Sequence, residues 1–559
     1  MRLRPETEDR PESAAVPAAP GHGFDAFAPE FQEHEEDTWR PEPFSWSIKA
    51  SGAVLPRPPA HRKEKYGYAR RNQWLLTLAT LISIPPLVLS QLGLVGTSVR
   101  LYFLAPLLAL TPLVSLIRLA LEAFSKDFDL GAHSRLVEGW QPRNPPTVDV
   151  FLPTCGESLD VLKNTWENVA RMQRHYRGAC TVLVLDDAAR AEVRTMAAEF
   201  GFRYATRPNR GWFKKAGNLQ YGLQITRGDY VLILDADFCP RFDMLDETIC
   251  YFDADPRIGI LQTPQYFTAA EELNWLERGA AAVQEIFYRA IQVARDQHDA
   301  VVCCGTNAVY RRAALEQNGG FCLIAHSEDV HTGLDLRRLG WKVRYIPVVL
   351  ASGMCPAHIA PFFSQQYRWC LGTMTIISSR KFWSAKMGPG ARLADLSGVL
   401  YYIETAVFTF LLPIIGLVLV VGLPAQVSLR NYLLVAPSLL VAFVITPLWH
   451  RGRYGMETWG VKVVYSWAHV FAVWDSLRGK EMGWDPTGSA GGGSSRGARR
   501  FWTGMWLWTL PTAVLWTAIS AERVLHYDTV AFTPVFLTAV FNLVVILRIM
   551  LARWAMEEQ

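Results

Sequence analysis

Six apolar stretches of bilayer length stand in two blocks, near 73–95 and 99–121, then 397–421, 431–450, 501–521 and 529–547. A helix needs about 20 apolar residues to cross a hydrocarbon core. Lipid offers a backbone no hydrogen-bond partner, so such segments must be helical and whatever separates them must fold outside the bilayer. Pro85-Pro86 and Pro413 would kink their helices, which a bundle tolerates. The stretch 529–547 is free of charge and has no polar face, so a buried soluble helix explains it poorly. Composition agrees with a mixed protein. Half of the 559 residues are hydrophobic and 19% are charged, too apolar for an ordinary soluble enzyme and too charged for a bare bundle. The net charge of +4 comes with no basic run interleaved with aromatics, so no nucleic-acid partner is expected.

Lysine and arginine set the orientation. Arg62, Lys63, Lys65, Arg70 and Arg71 precede the first apolar stretch. Arg451, Arg453, Lys462, Arg478, Lys480, Arg496, Arg499 and Arg500 lie between the fourth and fifth, whereas 96–98, 422–430 and 522–528 are nearly free of them. Both termini, residues 122–396 and residues 451–500 are therefore expected on the cytosolic side of a plasma membrane. All nine cysteines fall between Cys155 and Cys370 without a paired CxxC spacing, which argues against a zinc site and suits a reducing cytosol. Residues 1–60, rich in Pro, Ala and Glu, read as a disordered tail without a signal-peptide core.

Between the two blocks the pattern alternates. Val148–Leu152, Thr181–Leu185, Tyr230–Leu234 and Ile258–Gln262 are short apolar runs suited to buried parallel strands, and helical patterns near 158–173, 190–200, 215–225 and 241–252 separate them. An open α/β sheet follows, with its ligand site beyond the carboxyl ends of the strands. Two further stretches, 360–381 and 456–477, mix aromatics with charge and read as helices along the membrane surface.

The residues that can do chemistry sit at those strand ends. Tyr230–Leu234 runs into Asp235-Ala236-Asp237, two hard carboxylates that suit Mg2+ or Mn2+ and hence a diphosphate. Asp186-Asp187 ends another strand, where an acid can hold a nucleoside or simply cap a turn. Lys214-Lys215-Ala216-Gly217-Asn218 opens a helix, a place for phosphate or sugar oxygens. Ser327-Glu328-Asp329 opens another, where an acid is either a cap or a general base. Gln365-Gln366-Tyr367-Arg368-Trp369 offers a guanidinium fork for phosphate and a flat ring for a sugar, or else an interfacial aromatic with a snorkelling arginine.

Taken in this order, with ILQTPQYF at 260–267, CCGTNAVYRRAAL at 303–315 and SEDVHTGLDLRRLGWK at 327–342, the chain resembles the processive members of glycosyltransferase family 2, and among them the bacterial cellulose synthases. The resemblance covers about Val148 to Met374. It implies an α/β type-A glycosyltransferase domain, with an open and mostly parallel sheet, inserted in a bundle of about six transmembrane helices. It implies donor-binding roles for Thr154, Glu157, Asp186, Asp187, Lys215, Asp235 and Arg368. Asp235 and Asp237 would hold Mg2+ (or Mn2+), and Asp329 would be the catalytic base. Cys304, Gly305, Gln365 and Trp369 would meet the acceptor. Where the family has a Tyr-Asn-Glu triplet, a His after the metal pair and a Phe-x-Val-Thr-x-Lys gating loop, this chain has Cys155-Gly156-Glu157, Phe238 and Met482–Gly488, with Trp484 and Thr487 as the gating candidates.

The implied organisation is a tail (1–60), two transmembrane helices (61–125), a cytosolic transferase domain (126–355), an interface helix with the Gln-x-x-Arg-Trp motif (356–396), two more transmembrane helices (397–450), an interface helix and gating-type loop (451–500), and a last pair of transmembrane helices (501–559). The implied reaction is inverting, processive polymerisation of a β-linked glucan from UDP-glucose, with translocation of the growing polysaccharide across the bilayer. A UDP-N-acetylglucosamine polymerase of the chitin or hyaluronan type remains open, as does a transporter or scaffold with an inactive transferase domain. Accessory export proteins are possible partners. A C-terminal domain sensing cyclic di-GMP is not expected, since the chain ends soon after the last apolar stretch.

Overall fold

Strand β1 (Val148–Thr154) is apolar on both faces because both faces are covered. Val148, Val150 and Leu152 pack with Trp166 and Val169 of the helix Leu159–His175, while Phe151 points the other way, into a core with Leu219 and Leu223 of the helix Lys214–Ile225. The same alternation divides β2 (Cys180–Asp186), with Val182 and Val184 on the first face and Leu183 and Leu185 on the second. Such two-sided burial is what near-continuous apolar runs signify. With β3 (Arg203–Ala205), β4 (Tyr230–Ile233), β5 (Ile258–Gln262), β6 (Ala308–Arg311) and β7 (Lys342–Tyr345) these strands form one seven-stranded sheet, ordered β7-β5-β6-β4-β1-β2-β3. This computed structural model describes residues 49–50, 53–70, 72–123, 125–267, 272–452, 454–480, 482 and 496–557.

The sheet is mixed. β1 runs parallel to β2 and β4, β2 to β3, and β5 to β7, but β6 is antiparallel to both β4 and β5. The four runs expected from the sequence are β1, β2, β4 and β5, within two residues at each end. β6 was not expected: it is four residues long and emerges from a glycine turn within Cys303–Leu315. Strand order reverses beside β1, which has β2 on one side and β4 on the other, and a crevice opens at such a reversal. A buried Arg312–Asp149 pair (2.8 Å) closes the opposite end of the sheet.

Among the described residues, five helical elements are long and apolar enough to cross a membrane: Trp74–Gly96, Val99–Glu122, Pro389–Gly422, Leu429–Trp449 and Thr529–Ala552. The expected stretch 501–521 is helical too, in the consecutive elements Arg496–Gly504, Met505–Thr509 and Leu510–His526. It is not one of the five. Trp502, Trp506, Trp508 and Trp516, with Thr503, Thr509, Pro511, Thr512 and Thr517, make it less apolar than those five. The two amphipathic stretches are the helices Ile359–Ser378 and Met456–Leu477. They share one core, in which Phe362, Phe363 and Tyr367 of the first meet Val464, Trp467 and Ala468 of the second.

Candidate active site

The carboxyl ends of β1, β2 and β4 bring Thr154, Asp186 and the Asp235–Asp237 turn to one edge of the sheet. Asp235 is fixed from two sides. Its amide donates to Thr306 Oγ1 (2.9 Å), and its Oδ1 accepts from Lys215 Nζ (2.5 Å). Lys215 Nζ also donates to the Gly305 carbonyl (2.9 Å), so one ammonium joins the helix Lys214–Ile225, the aspartate turn and the Gly305 loop. Burial works against that charge, but Asp235, Glu328 and Asp329 outweigh it and raise the lysine pKa above its ordinary value.

Asp329 stands on the opposite wall. Its Oδ1 accepts from the Val330 amide (2.8 Å) in the first turn of its own helix, Glu328–Arg338. Its Oδ2 lies where a β-carbon on Gly305 would come within 2.7 Å, and Gly305 has φ +72°, so only glycine suits that position. Ser327 turns into this helix at φ 59°. Its Oγ sits 1.9 Å from where a β-carbon on Gly372 would be, which brings the helix carrying Gln365, Arg368 and Trp369 directly against the turn. Arg368 donates to Ser364 Oγ (3.2 Å) and offsets the charge of Glu328. Gln365 Oε1 and Thr154 Oγ1 are buried without a hydrogen-bond partner.

The electrostatics are those of crowded acids. Burial, then Asp235, pushes Asp237 up to about 7. Burial raises Glu157, with Asp235 adding to it and the Cys155 amide opposing it. Burial, then Glu328, holds Asp329 well above the ordinary carboxylate range. Among the described residues no three His, Cys, Asp or Glu side chains form a metal cage. Two hard carboxylates in a turn that repels its own charge fit a divalent cation that takes its other ligands from a diphosphate.

The two acids after β2 differ. Asp186 is fully buried and accepts from the Ala188 amide (2.9 Å), the Arg190 amide (2.7 Å) and Tyr204 OH (3.0 Å), so it builds the turn. Asp187 is gripped by both arms of Arg207, Nε to Oδ1 and Nη2 to Oδ2, each at 2.7 Å. Arg207 also donates to the carbonyls of Trp212 and Lys214, which holds the left-handed Phe213–Lys214 turn ahead of Lys215. Sequence reasoning missed Arg207, and the alternation of strands and helices gave no signal for it. It missed Gln262 as well, whose amide braces the loop by donating to Thr306 O (2.8 Å) and accepting from the Cys304 amide (2.8 Å). Phe238, standing where the family has a histidine, is buried edge-on to Phe267. Trp484 and Thr487, the gating candidates, lie outside the described residues.

A parallel-sheet crevice with an Asp-x-Asp turn on one wall and an acid at a helix start on the other defines a type-A glycosyltransferase fold. Residues 230–447 match the model of "Glycosyl transferase family group 2". Cellulose synthase 1 of Komagataeibacter xylinus is 33% identical over 320 residues, covering 55% of this chain and 20% of that protein. The UDP-forming cellulose synthase catalytic subunit of Xanthomonas axonopodis pv. citri is 36% identical over 234 residues, 41% of this chain and 32% of its own length. The matched part thus spans a fifth to a third of these relatives. Among solved structures, mannosyltransferase PcManGT from Pyrobaculum calidifontis, in complex with GDP-Man and Mn2+, gives a TM-score of 0.47 at 19% identity, covering 67% of this chain and 99% of that one. Residues 230–447 are thus similar to glycosyl transferase family group 2, and the chain resembles cellulose synthases over the matched part.

Proposed function

We propose that the chain is a processive, inverting hexosyltransferase that extends a β-linked glucan from UDP-glucose on the cytosolic side of the plasma membrane and passes it through a six-helix bundle. The observation that carries this reading is the facing of Asp329 and the Lys215–Asp235 pair across Gly305. An acceptor hydroxyl beside Asp329 gives up its proton to that carboxylate. The oxygen then attacks the anomeric carbon of the donor from the side opposite UDP, so the configuration inverts and UDP leaves. The raised proton affinity of Asp329 suits a base working near neutral pH. Lys215 and Arg368 offset the charge that develops on the leaving diphosphate. Asp235 and Asp237 would hold Mg2+ or Mn2+, which supplies further charge neutralisation there. Trp369 gives the terminal sugar a face to stack on, and Gln365, with its unpartnered amide oxygen, can accept from a sugar hydroxyl.

The processive reading rests on the apolar helices that continue from the catalytic elements, Pro389–Gly422 following the Gln365–Trp369 helix within a short connection. The test is the purified full chain in lipid nanodiscs with a panel of UDP-sugars and Mg2+, measuring released UDP and chain-length distribution. UDP release with UDP-glucose and a long β-glucan product are expected. Preference for UDP-N-acetylglucosamine would move the assignment to that polymer, and absence of UDP release with every donor would leave a non-enzymatic role.

A further inference from the structure

The motif Gln365–Trp369 has one member whose side chain faces away from the cleft. Tyr367 is 1% exposed, and its hydroxyl donates to Asp475 Oδ2 (2.9 Å) while accepting from the Met482 amide (3.0 Å). Asp475 is itself buried, near the end of the helix Met456–Leu477, and also accepts from Arg500 Nη1 (2.5 Å) of the helix Arg496–Gly504. One hydroxyl and one carboxylate therefore tie three helices together directly behind Arg368 and Trp369. Packing reinforces the tie. Phe363, one turn earlier, meets Phe471 and Phe501, and a β-carbon on Gly497 would lie 2.9 Å from its ring.

The chemistry of the junction is that of a lock. Burying Asp475 is costly unless its charge is paired and its oxygens are hydrogen-bonded. The Arg500 guanidinium supplies the pairing, and Tyr367 supplies the bond that fixes the direction of the carboxylate. A tyrosine ring has two torsions and little freedom once packed, so fixing its hydroxyl fixes the rotation of its helix about its own axis. Rotation is what aims residue 368, the next one along, at the Glu328 wall, while its bond to Ser364 Oγ stays within the helix and turns with it.

We infer that Tyr367, Asp475 and Arg500 are positioning residues that aim Arg368 at the leaving diphosphate, so that UDP affinity depends on a contact made outside the donor crevice. This rests on the donor-site reading of Arg368 proposed above. None of the three touches the donor. They act through the helix that carries the guanidinium.

The experiment is a double-mutant cycle on the full chain in nanodiscs, reading UDP binding with Mg2+ in excess and, in parallel, KM and kcat for UDP-glucose. Tyr367→Phe keeps the ring and removes only the hydroxyl. It is expected to weaken UDP binding by roughly tenfold, the scale of one hydrogen bond to a buried charged group, and to raise KM more than it lowers kcat. In the Arg368→Ala background the same change is expected to have almost no effect on UDP, because there is no guanidinium left to aim. A merely structural role would lower thermal stability equally in both backgrounds and leave the two effects on UDP additive. That additivity, or unchanged UDP affinity in Tyr367→Phe, overturns the inference. Should Tyr367→Phe fail to fold, Arg500→Lys, which keeps the charge and loses the fork, enters the same cycle with the same expectation. If wild type binds no UDP, or Arg368→Ala binds it as wild type does, the donor-site reading itself has failed, and the cycle shows which of the two is at fault.

Discussion

Gly305→Ala separates catalytic geometry from stability at a single position. Two costs meet there. At φ +72° a β-carbon is strained whatever space it has, by ~1–2 kcal/mol. The new methyl would also stand 2.7 Å from Asp329 Oδ2, against 3.4 Å at the start of ordinary contact, so 3.4 − 2.7 = 0.7 Å must be found. The backbone on one side is held by Lys215 at the Gly305 carbonyl, and the carboxylate is the part that can rotate. A base displaced by most of an ångström loses about 10²-fold in rate, on the scale of misplaced reacting groups. Gly319 provides the control. Its φ is +80° and nothing lies within 4 Å of its notional β-carbon, so Gly319→Ala has the strain without the contact. The thermal unfolding temperature should fall in both variants and at least as far in Gly305→Ala, while turnover of UDP-glucose should fall by one to two orders of magnitude in Gly305→Ala (about 10–100-fold) and stay near wild type in Gly319→Ala. If the two variants turn over within twofold of each other, Asp329 is not held against Gly305 in the working enzyme.

Asp329→Asn should still bind UDP and should lose ~10²–10⁴-fold in kcat, as for removal of a general base, and near-normal turnover would exclude that role. Asp237→Ala should abolish the Mg2+ dependence of UDP binding measured by calorimetry, and an unchanged dependence would place the cation elsewhere. The pH profile has a definite sign. A base whose proton affinity is raised by burial and by Glu328 loses its ionised form as pH falls, so kcat/KM should drop on the acid side. Glu328→Gln removes the like charge and should shift that limb to lower pH, whereas a shift to higher pH would contradict the assignment. Arg207→Ala would leave the buried Asp187 carboxylate without its bidentate partner, and a loss of ~3–5 kcal/mol in unfolding stability is expected for breaking such a pair, checked by denaturant titration.

How much of this was legible in the sequence depended on the range of the interaction. The strands β1, β2, β4 and β5 could be read because burial on two faces leaves a local, uninterrupted apolar run. The acids Asp187, Asp235 and Asp237 could be placed at strand ends because the apolar runs stop just before them, and Asp329 at a helix start because it opens a helical pattern after the Gly319-Gly320 turn. β6 could not be read. Its four residues are held by pairing with β4 and β5, strands 46 or more positions away in sequence, and a local pattern carries no trace of that pairing. The same holds for the buried helices. Mixed aromatics and charge in 360–381 and 456–477 read as helices along a membrane surface, and the local pattern carried no sign that Phe362, Phe363 and Tyr367 of the first share a core with Trp467 and Phe471 of the second.

The acids after β2 show where residue type alone stops being informative. Asp186 and Asp187 are neighbours with identical side chains, and from the sequence either can serve a nucleoside or a turn. Strand alternation separates them. With Leu185 on the Phe151 face of the sheet, Asp186 falls on the other face, where Tyr204 and the amides of Ala188 and Arg190 occupy its oxygens. Asp187 steps off the end of the strand toward the loop 207–214, and its charge is answered by Arg207, twenty residues on. That answer has a consequence at the site. The guanidinium that neutralises Asp187 also holds the Trp212 and Lys214 carbonyls, and so fixes the turn from which Lys215 reaches Asp235. An acid at a strand end can therefore serve a donor site without touching the donor, by holding the cation that shapes the loop beneath it.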